Sequence, residues 1–353
     1  MTTGSSATTG NPTTTGNPAP SNEDALSATA PAMVSMYASN LMRTAFDLGL
    51  PDEIGDEPEP LPQLAERVGA DPAALRRLLR GLTRLGMFQP VGDDRYAATR
   101  LSALMRTDDS STGLAAFANE EWMWQLWGDL TRAVRTGETP FPKLFGKNFF
   151  DFITEDAPET GERFNLAMTR GIGATNEAVA AVLDLSGASE VVDVGGGQGT
   201  MLRDLLRANP HLGGVLFDIP SALDDVDEEL RTDLAERAEV VSGDAMESVP
   251  AADAYTFRTI LHNWDDESCV RMLESCAAAG GSGARVHIVE VLVPESGQVS
   301  DFAAMMDLQM FMLFGSKERT EPEYAELFRR AGLSLVGSRP TDSQFSIIEA
   351  RVD

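Results

Sequence analysis

The 353-residue chain has a formal net charge of −27 and 42% hydrophobic residues. Its length allows two domains with a substantial core, whereas its negative field repels nucleic-acid phosphates and anionic membranes. We therefore expect no nucleic acid and no membrane as partners. Cys269 and Cys276 lie too far apart on a predicted helix to bridge each other, which indicates reduced thiols and a cytoplasmic protein.

The chain begins with a segment that cannot bury apolar area. Residues 1–22 are mostly Thr, Gly, Ser, Asn and Pro, and this composition predicts a disordered tail. An apolar helix is predicted over residues 29–50. It packs either against its own chain or across a dimer, and the pattern leaves both open.

Residues 61–105 predict two helices followed by a β-hairpin. Asp71 suits the N-cap of the second helix and Pro72 its first position. The hairpin pairs residues 87–91 with 96–98. This is a winged-helix arrangement, for which the acidic surroundings favour a structural or dimer-forming role over DNA binding. We assign residues 23–106 to this domain.

Residues 107–180 predict a helical bridge rich in aromatic side chains. Such a density builds core more often than ligand pocket, but a position between domains also suits a small-molecule pocket. We expect a mixture of the two uses. The aromatic residues are Trp122, Trp124, Trp127, Phe141, Phe145, Phe149, Phe150, Phe152 and Phe164.

Residues 181–353 predict an α/β domain with a Rossmann-like sheet. Strands alternate with helices, and the chain ends in an antiparallel hairpin whose edge strand distinguishes the sheet from an all-parallel dehydrogenase sheet. The predicted strands are Val191–Val194, Gly214–Asp218, Ala238–Ser242, Ala254–Arg258, Val286–Val291, Ser334–Arg339 and Gln344–Val352.

The first of these strands runs into a glycine-rich turn. Asp193 is followed by Gly195, Gly197 and Gly199, but Thr200 breaks the dinucleotide-binding pattern. Asp193 would repel a pyrophosphate and attract an ammonium group. The turn therefore favours S-adenosylmethionine as its ligand, the alternative being a turn that binds nothing.

Polar residues also follow the next two strands. Asp218 ends the second strand, where it can accept hydrogen bonds from ribose hydroxyls, although an acidic loop cap is the alternative. Asp244, Ala245 and Met246 follow the third strand, where they either meet an adenine or form a simple turn.

Three further residues predict acid–base chemistry. His262 follows the fourth strand, Glu290 lies within the apolar fifth strand, and Glu318 follows a Met-rich segment. A histidine beside two carboxylates is held in one tautomer and becomes a better base. Because a phenol has a pKa of about 10, it must lose its proton as it attacks a sulfonium methyl. Such a transfer requires no metal.

Three motifs stand in order along the chain, Asp193–Gly199, Leu261–Glu267 and Lys317–Glu321. With them, residues 29–353 resemble the small-molecule O-methyltransferases of the plant caffeic acid and flavonoid type and their actinobacterial antibiotic-pathway branch. The resemblance implies S-adenosylmethionine as methyl donor, S-adenosylhomocysteine as product, a homodimer formed by the winged-helix domain, and an aromatic acceptor.

The resemblance also implies residue roles. His262 is the general base, Glu290 and Glu318 flank it, and Arg258 stands at a cofactor position. Phe164, Met168, Met310 and Phe311 resemble acceptor-pocket residues. Asn263 replaces an Asp of the plant pattern, so the role of that carboxylate toward the acceptor falls to the Asn263 amide, or to Asp265 or Asp266.

We therefore expect methyl transfer to a phenolic hydroxyl of a secondary metabolite, such as an aromatic polyketide or antibiotic precursor. Three alternatives stay open: a homologue with drifted chemistry (hydroxylation or decarboxylation), a winged-helix ligand-responsive regulator, and a dinucleotide oxidoreductase. Thr200 and Asp193 oppose the last of these.

Overall fold

The computed structural model describes residues 22–107 and 113–353, and the tail expected over residues 1–22 lies outside them except for Asn22. The chain divides into two units, one ending at Thr99 and one running from Arg100 to Asp353. No helix in the described ranges is long and apolar enough to cross a membrane.

The first unit contains the expected helices and hairpin. Asp71 caps the fourth helix, since its Oδ1 accepts the backbone N–H of Ala74 at 2.8 Å. The three short strands form one antiparallel sheet in which the third strand is central. The elements are α1 (Asn22–Asp47), α2 (Leu50–Glu53), β1 (Glu59–Pro60), α3 (Leu61–Arg67), α4 (Pro72–Arg84), β2 (Phe88–Pro90) and β3 (Arg95–Ala98).

The second unit begins with short helices, as the aromatic segment predicts. Their aromatic rings pack together in one core, with the Trp122 ring centroid 5.8 Å from that of Phe141 and 5.6 Å from that of Phe149. Two stretches are π-helical, Phe152–Asp156 and Ala167–Ile172. The helices are α5 (Arg100–Ala103), α6 (Leu114–Ala118), α7 (Glu121–Gly128), α8 (Leu130–Thr136), α9 (Phe141–Phe145), α10 (Phe149–Asp151), α11 (Pro158–Leu166) and α12 (Asn176–Ala180).

A seven-stranded sheet follows, in the order β6-β5-β4-β7-β8-β10-β9. Its strands are β4 (Glu190–Val194), β5 (Gly213–Asp218), β6 (Ala238–Ser242), β7 (Ala254–Arg258), β8 (Arg285–Glu290), β9 (Leu333–Pro340) and β10 (Ser346–Val352). β4 to β8 run parallel to one another, and β10 runs antiparallel to both of its neighbours, β8 and β9.

The expected terminal hairpin is present, but its antiparallel strand is not at the edge. β10 lies between β8 and β9, and β9 forms the edge. Burial explains the order: Ile347, Ile348 and Ala350 of β10 are fully buried, whereas Val336 of β9 is 57% exposed. The more apolar strand therefore occupies the inner position.

Helices cover both faces of the sheet. α12 and α13 (Thr200–Ala208) pack on one face. α15 (Asp266–Gly280) and α17 (Glu321–Arg330) pack on the other, where Cys269 and Cys276 are buried as free thiols. The carboxyl ends of the parallel strands meet at one edge, so the loops after β4, β5, β6, β7 and β8 lie together there. The remaining helices are α13 (Thr200–Ala208), α14 (Glu228–Arg231), α15 (Asp266–Gly280), α16 (Asp301–Phe314) and α17 (Glu321–Arg330).

Removing the α4 cap tests the local structure of the first unit. Asp71→Ala leaves the N–H of Ala74 without its acceptor, so we expect the free energy of unfolding to fall by about 1 kcal/mol. Asp71→Asn keeps an acceptor oxygen and should stay within a few tenths of a kcal/mol of the parent chain. Urea denaturation followed by circular dichroism measures both, and equal losses for the two variants would contradict the capping role.

Candidate active site

The glycine turn after β4 uses its glycines in two ways. Gly197 has φ +56°, its N–H donates to Oδ2 of Asp218 at 2.8 Å, and a Cβ there would meet no atom within 4 Å. This is an open face on which a ligand can lie against the backbone. Gly199 has φ +85°, and a Cβ there would clash with the side chain of Leu230, so backbone conformation and packing both disfavour a side chain. Gly195 also has positive φ.

Asp193 lies beneath this turn and is 1% exposed. Its Oδ1 accepts the hydroxyl of Thr256 at 2.8 Å, but its buried Oδ2 has no protein hydrogen-bond partner. Burial raises the pKa of Asp193 to about 6, against the opposing effects of Thr256 and Arg258. A buried carboxylate oxygen that lacks a donor favours a ligand carrying an N–H or a positive charge, and the ammonium group of S-adenosylmethionine meets this requirement.

Asp218 and Asp244 end neighbouring strands. Asp218 accepts the N–H groups of Gly197 and Ile219 at 2.8 and 2.7 Å, and burial raises its pKa against these two bonds. Asp244 is exposed and accepts the N–H of Met246 at 2.8 Å. Ala245 and Met246 are half-buried against the core of the sheet. Asp218 at the end of β5, and Asp244, Ala245 and Met246 after β6, therefore lie at the same sheet edge as the glycine turn.

Arg258, at the end of β7, turns toward the helical segment. Its guanidinium donates to Oγ1 of Thr175 at 2.7 Å and to the side-chain oxygen of Asn176, and it lies 5.4 Å from the Phe345 ring centroid. Burial lowers the pKa of Arg258 to about 10. These contacts join the end of α12 to the sheet.

His262 lies in a turn after β7 and is 4% exposed. Its Nδ1–H donates to Oε1 of Glu318 at 2.8 Å. Burial alone would lower the pKa of His262, but the bond to Glu318 and the charge of Glu290 raise it above the ordinary value of 6.5. With Nδ1 bound to Glu318, the other ring nitrogen, Nε2, is the basic one.

Glu290 contacts the backbone of this turn. Its Oε1 accepts the N–H groups of Ile260 and His262, each at 3.1 Å, and its Oε2 accepts the hydroxyl of Tyr324. Glu290 is fully buried. The two carboxylates predicted beside His262 therefore act at different points, Glu318 on the ring and Glu290 on the main chain.

Three residues that hold this turn were not predicted. Arg319 is 1% exposed and donates to the carbonyls of Leu261 and Trp264, each at 2.9 Å, and the Ser316 hydroxyl donates to the carbonyl of His262. Tyr324 is the third, through Glu290. Arg319 stands within the Lys317–Glu321 motif, which could have indicated it, whereas Ser316 and Tyr324 carry no comparable signal.

The glycine turn and the His262 turn pack against each other. A Cβ at Gly195 would lie 2.6 Å from Cδ1 of Ile260, two residues before His262. The absence of a side chain at Gly195 therefore allows the two turns to meet.

The residues predicted to line the acceptor pocket do not all lie in one cluster. Met310, Phe311 and Phe164 belong to the aromatic core, and the carbonyl of Met310 lies 3.5 Å from the same Ser316 hydroxyl that binds His262. Met168 is half-buried in the second π-helical stretch and lies outside that core. The Asn263 side chain donates to the carbonyl of Thr259 at 3.1 Å. Within the described ranges, no three His, Cys, Asp or Glu side chains are grouped to hold a metal ion.

Comparisons with known proteins place the chain in a family. Residues 127–334 match the O-methyltransferase domain family, and residues 32–108 match the O-methyltransferase dimerisation domain. The mitomycin biosynthesis 6-O-methyltransferase of Streptomyces lavendulae is 37% identical over 86% of this chain and 88% of its own. The phenazine O-methyltransferase PhzM of Lysobacter antibioticus is 34% identical over 92% of this chain and 96% of its own.

A solved structure extends the similarity to the fold. An O-methyltransferase from neocarzinostatin biosynthesis, in complex with S-adenosylmethionine and 2-hydroxy-5-methyl naphthoic acid, superposes with a TM-score of 0.76. It is 31% identical, and the match covers 90% of this chain and 96% of that one. The chain therefore belongs to the O-methyltransferase family, with the dimerisation domain of that family preceding its catalytic domain.

Proposed function

We propose that this enzyme transfers a methyl group from S-adenosylmethionine to a phenolic hydroxyl of a small aromatic metabolite, with His262 as the general base. One observation carries the proposal: the turn that bears a buried histidine bound to a carboxylate packs, through Ile260, against a glycine turn that is open at Gly197. The named relatives, which act in phenazine, mitomycin and neocarzinostatin chemistry, support an aromatic secondary metabolite as acceptor.

The methyl donor would lie along the carboxyl edge of the sheet. When bound, S-adenosylmethionine supplies a methyl group on a sulfonium, which is electrophilic without further activation. Asp193 would hold its ammonium group, Asp218 its ribose hydroxyls, and Asp244, Ala245 and Met246 its adenine. Gly195, Gly197 and Gly199 allow the backbone to approach it, and Arg258 would order the helical segment beside it.

His262 would take the proton of the acceptor hydroxyl at Nε2. Glu318 then stabilises the imidazolium through Nδ1–H, and burial of the pair keeps water out. Phe164, Met168, Met310 and Phe311 would line the acceptor pocket, and Asn263 would border it. The half-buried and buried apolar side chains in this set favour a flat aromatic ring.

We also propose the domain and assembly arrangement. Residues 23–106 would form the dimerisation domain of a homodimer, residues 107–180 the acceptor-lining bridge, and residues 181–353 the catalytic domain. Val34, Met36 and Tyr37 of α1 are 55%, 59% and 64% exposed, and such an apolar face supports a partner chain. The free buried thiols support a cytoplasmic location.

Replacing the base tests the central proposal. We expect His262→Gln to lower kcat about 10²–10⁴-fold because proton transfer is lost, while the Kd for S-adenosylmethionine stays unchanged. Because the pKa of His262 is raised above 6.5, kcat/KM of the parent enzyme should fall as the pH drops through a midpoint above 6.5. Rates of S-adenosylhomocysteine formation over a panel of phenolic acceptors measure both effects.

His211→Gln is the matched control, since His211 is exposed and precedes the amino end of β5, opposite the carboxyl edge of the sheet. It should keep the parent rate and pH profile. A full rate in His262→Gln would show that the base is elsewhere, and a parent enzyme that fails to bind S-adenosylmethionine would overturn the proposed function.

Two substitutions of Glu290 separate its acceptor oxygens from its charge. Glu290→Ala leaves two buried N–H groups unpaired, so we expect a loss of at least about 2 kcal/mol in unfolding free energy and loss of turnover. Glu290→Gln keeps an acceptor oxygen and should cost about 1 kcal/mol and retain kcat within about tenfold. Thermal denaturation and initial rates measure these effects, and equal behaviour of the two variants would contradict a role through the backbone.

Titration of Asp193 predicts how donor binding depends on pH. Its pKa of about 6 means that the charge is lost as the pH falls through that value. We expect the Kd for S-adenosylmethionine to rise about tenfold between pH 7 and pH 5, and this dependence should vanish in Asp193→Asn. Isothermal calorimetry measures it, with 5′-methylthioadenosine, which lacks the ammonium group, as the ligand control. An equal pH response of both ligands would argue against the assigned contact.

A further inference from the structure

We propose that Thr259 and Asn263 are positioning residues for His262: the bond from the Asn263 amide to the Thr259 carbonyl closes the turn that carries the imidazole ring. This rests on the proposed function in so far as His262 is the base. It also changes the role expected for Asn263, from a contact with the acceptor to a support of the catalytic turn.

The first observation is the backbone of Thr259. It has φ +52°, and among the described residues other than glycine only Asp94 shares a positive φ. A β-branched residue is disfavoured in this region, so the surrounding structure must impose it. The N–H of Thr259 donates to the carbonyl of Val289 at 3.1 Å, and its hydroxyl donates to the carbonyl of Arg258 at 2.7 Å. Both bonds anchor the residue to the ends of β7 and β8.

The second observation is where this conformation directs the carbonyl. The Thr259 oxygen accepts the Asn263 side-chain amide at 3.1 Å, and this bond closes the turn that contains His262. The same carbonyl contributes to the raised pKa of His262. Glu318 binds the ring at Nδ1, and the Asn263 amide fixes the backbone that carries the ring. Glu290, Ser316 and Arg319 fix the other backbone groups of the same turn.

Charge explains why an amide serves at position 263. An amide donates to the carbonyl, whereas a carboxylate cannot and would add a negative charge beside a ring that Glu318 and Glu290 already face. Other charged or titratable groups also surround the turn. Asp307 of α16 accepts the N–H of Glu318. The others are Tyr324 of α17, Arg319 with its partner Asp266, and Asp265 at the start of α15. Asn263 thus supports the ring without making it more basic.

Asn263→Asp and Asn263→Ala separate position from charge. Both lose the amide bond, so we expect kcat at high pH to fall about threefold to tenfold, with the Kd for S-adenosylmethionine unchanged. Only Asn263→Asp should also shift the titration of His262 upward, lowering kcat/KM about threefold to tenfold more at a pH below the parent midpoint. The control is Asn209→Asp, because Asn209 makes the same kind of bond, to the carbonyl of Leu205 at 3.0 Å, at the end of α13.

The titration can be read without turnover. The chain has three histidines, so labelling histidine Cε1 with carbon-13 gives three NMR signals. His211→Gln removes the signal of His211, and burial lowers the pKa of His287 to about 4, so the remaining signal is assigned to His262. An upward shift of this signal in Asn263→Asp, absent in Asn263→Ala and Asn209→Asp, is the expected result with S-adenosylhomocysteine bound.

The outcomes distinguish the inference from the proposed function. A shift of the His262 NMR titration without a matching shift of the pH–rate profile would support the role of Asn263 in the turn. It would contradict the proposal that His262 is the general base. An unchanged His262 titration in Asn263→Asp, or an undiminished kcat in Asn263→Ala, would overturn the inference. Thr259→Gly tests it where the Asn263 variants do not fold, since glycine tolerates the backbone conformation. It should retain thermal stability but lose about threefold to tenfold in kcat, because it lacks the hydroxyl that bonds the Arg258 carbonyl and no longer restricts the turn to one conformation. A parent-like kcat would overturn the part of the inference that concerns Thr259.

Discussion

The site depends on one buried carboxylate. Glu290 sits at the end of β8 and accepts two N–H groups of the turn that carries His262, while Tyr324 donates to its second oxygen. Irregular backbone inside a protein needs partners for every polar group, and here side chains from β8, α17 and the segment after α16 supply them. The backbone of the turn is therefore held by hydrogen bonds along its length, and these bonds also fix the position of His262.

Burial acts in opposite directions on the titratable groups of this edge. It raises the pKa of Asp193 and of Glu318, and it would lower that of His262 if Glu318 and Glu290 did not outweigh it. The result is a carboxylate beneath the glycine turn that gains from a cationic ligand, next to a histidine with enhanced basicity. The ammonium group of S-adenosylmethionine and the proton of a phenolic acceptor would make these two demands.

Two turns with different chemistry meet because Gly195 has no side chain. Ile260 fills that space, so the backbone of the proposed donor site touches the turn of the proposed base. On the other side, Ser316 bonds to the carbonyl of His262 and lies close to that of Met310. The aromatic core is thereby linked to the same turn. The turn that carries His262, the proposed base, thus contacts both the proposed donor site and the aromatic core.

Local patterns in the sequence predict the sheet strands, the α4 cap and the order of the motifs, because apolar runs, glycines and capping residues act on their immediate neighbours. The order of the motifs also predicts that His262, Glu290 and Glu318 lie together. The folded chain adds three features that no local pattern indicates: β10 lies inside the sheet, Glu290 binds backbone while Glu318 binds the ring, and Asn263 turns toward Thr259. These three features depend on tertiary contacts. A polar group that folding buries away from water needs a hydrogen-bond partner, and side chains from distant parts of the chain supply it.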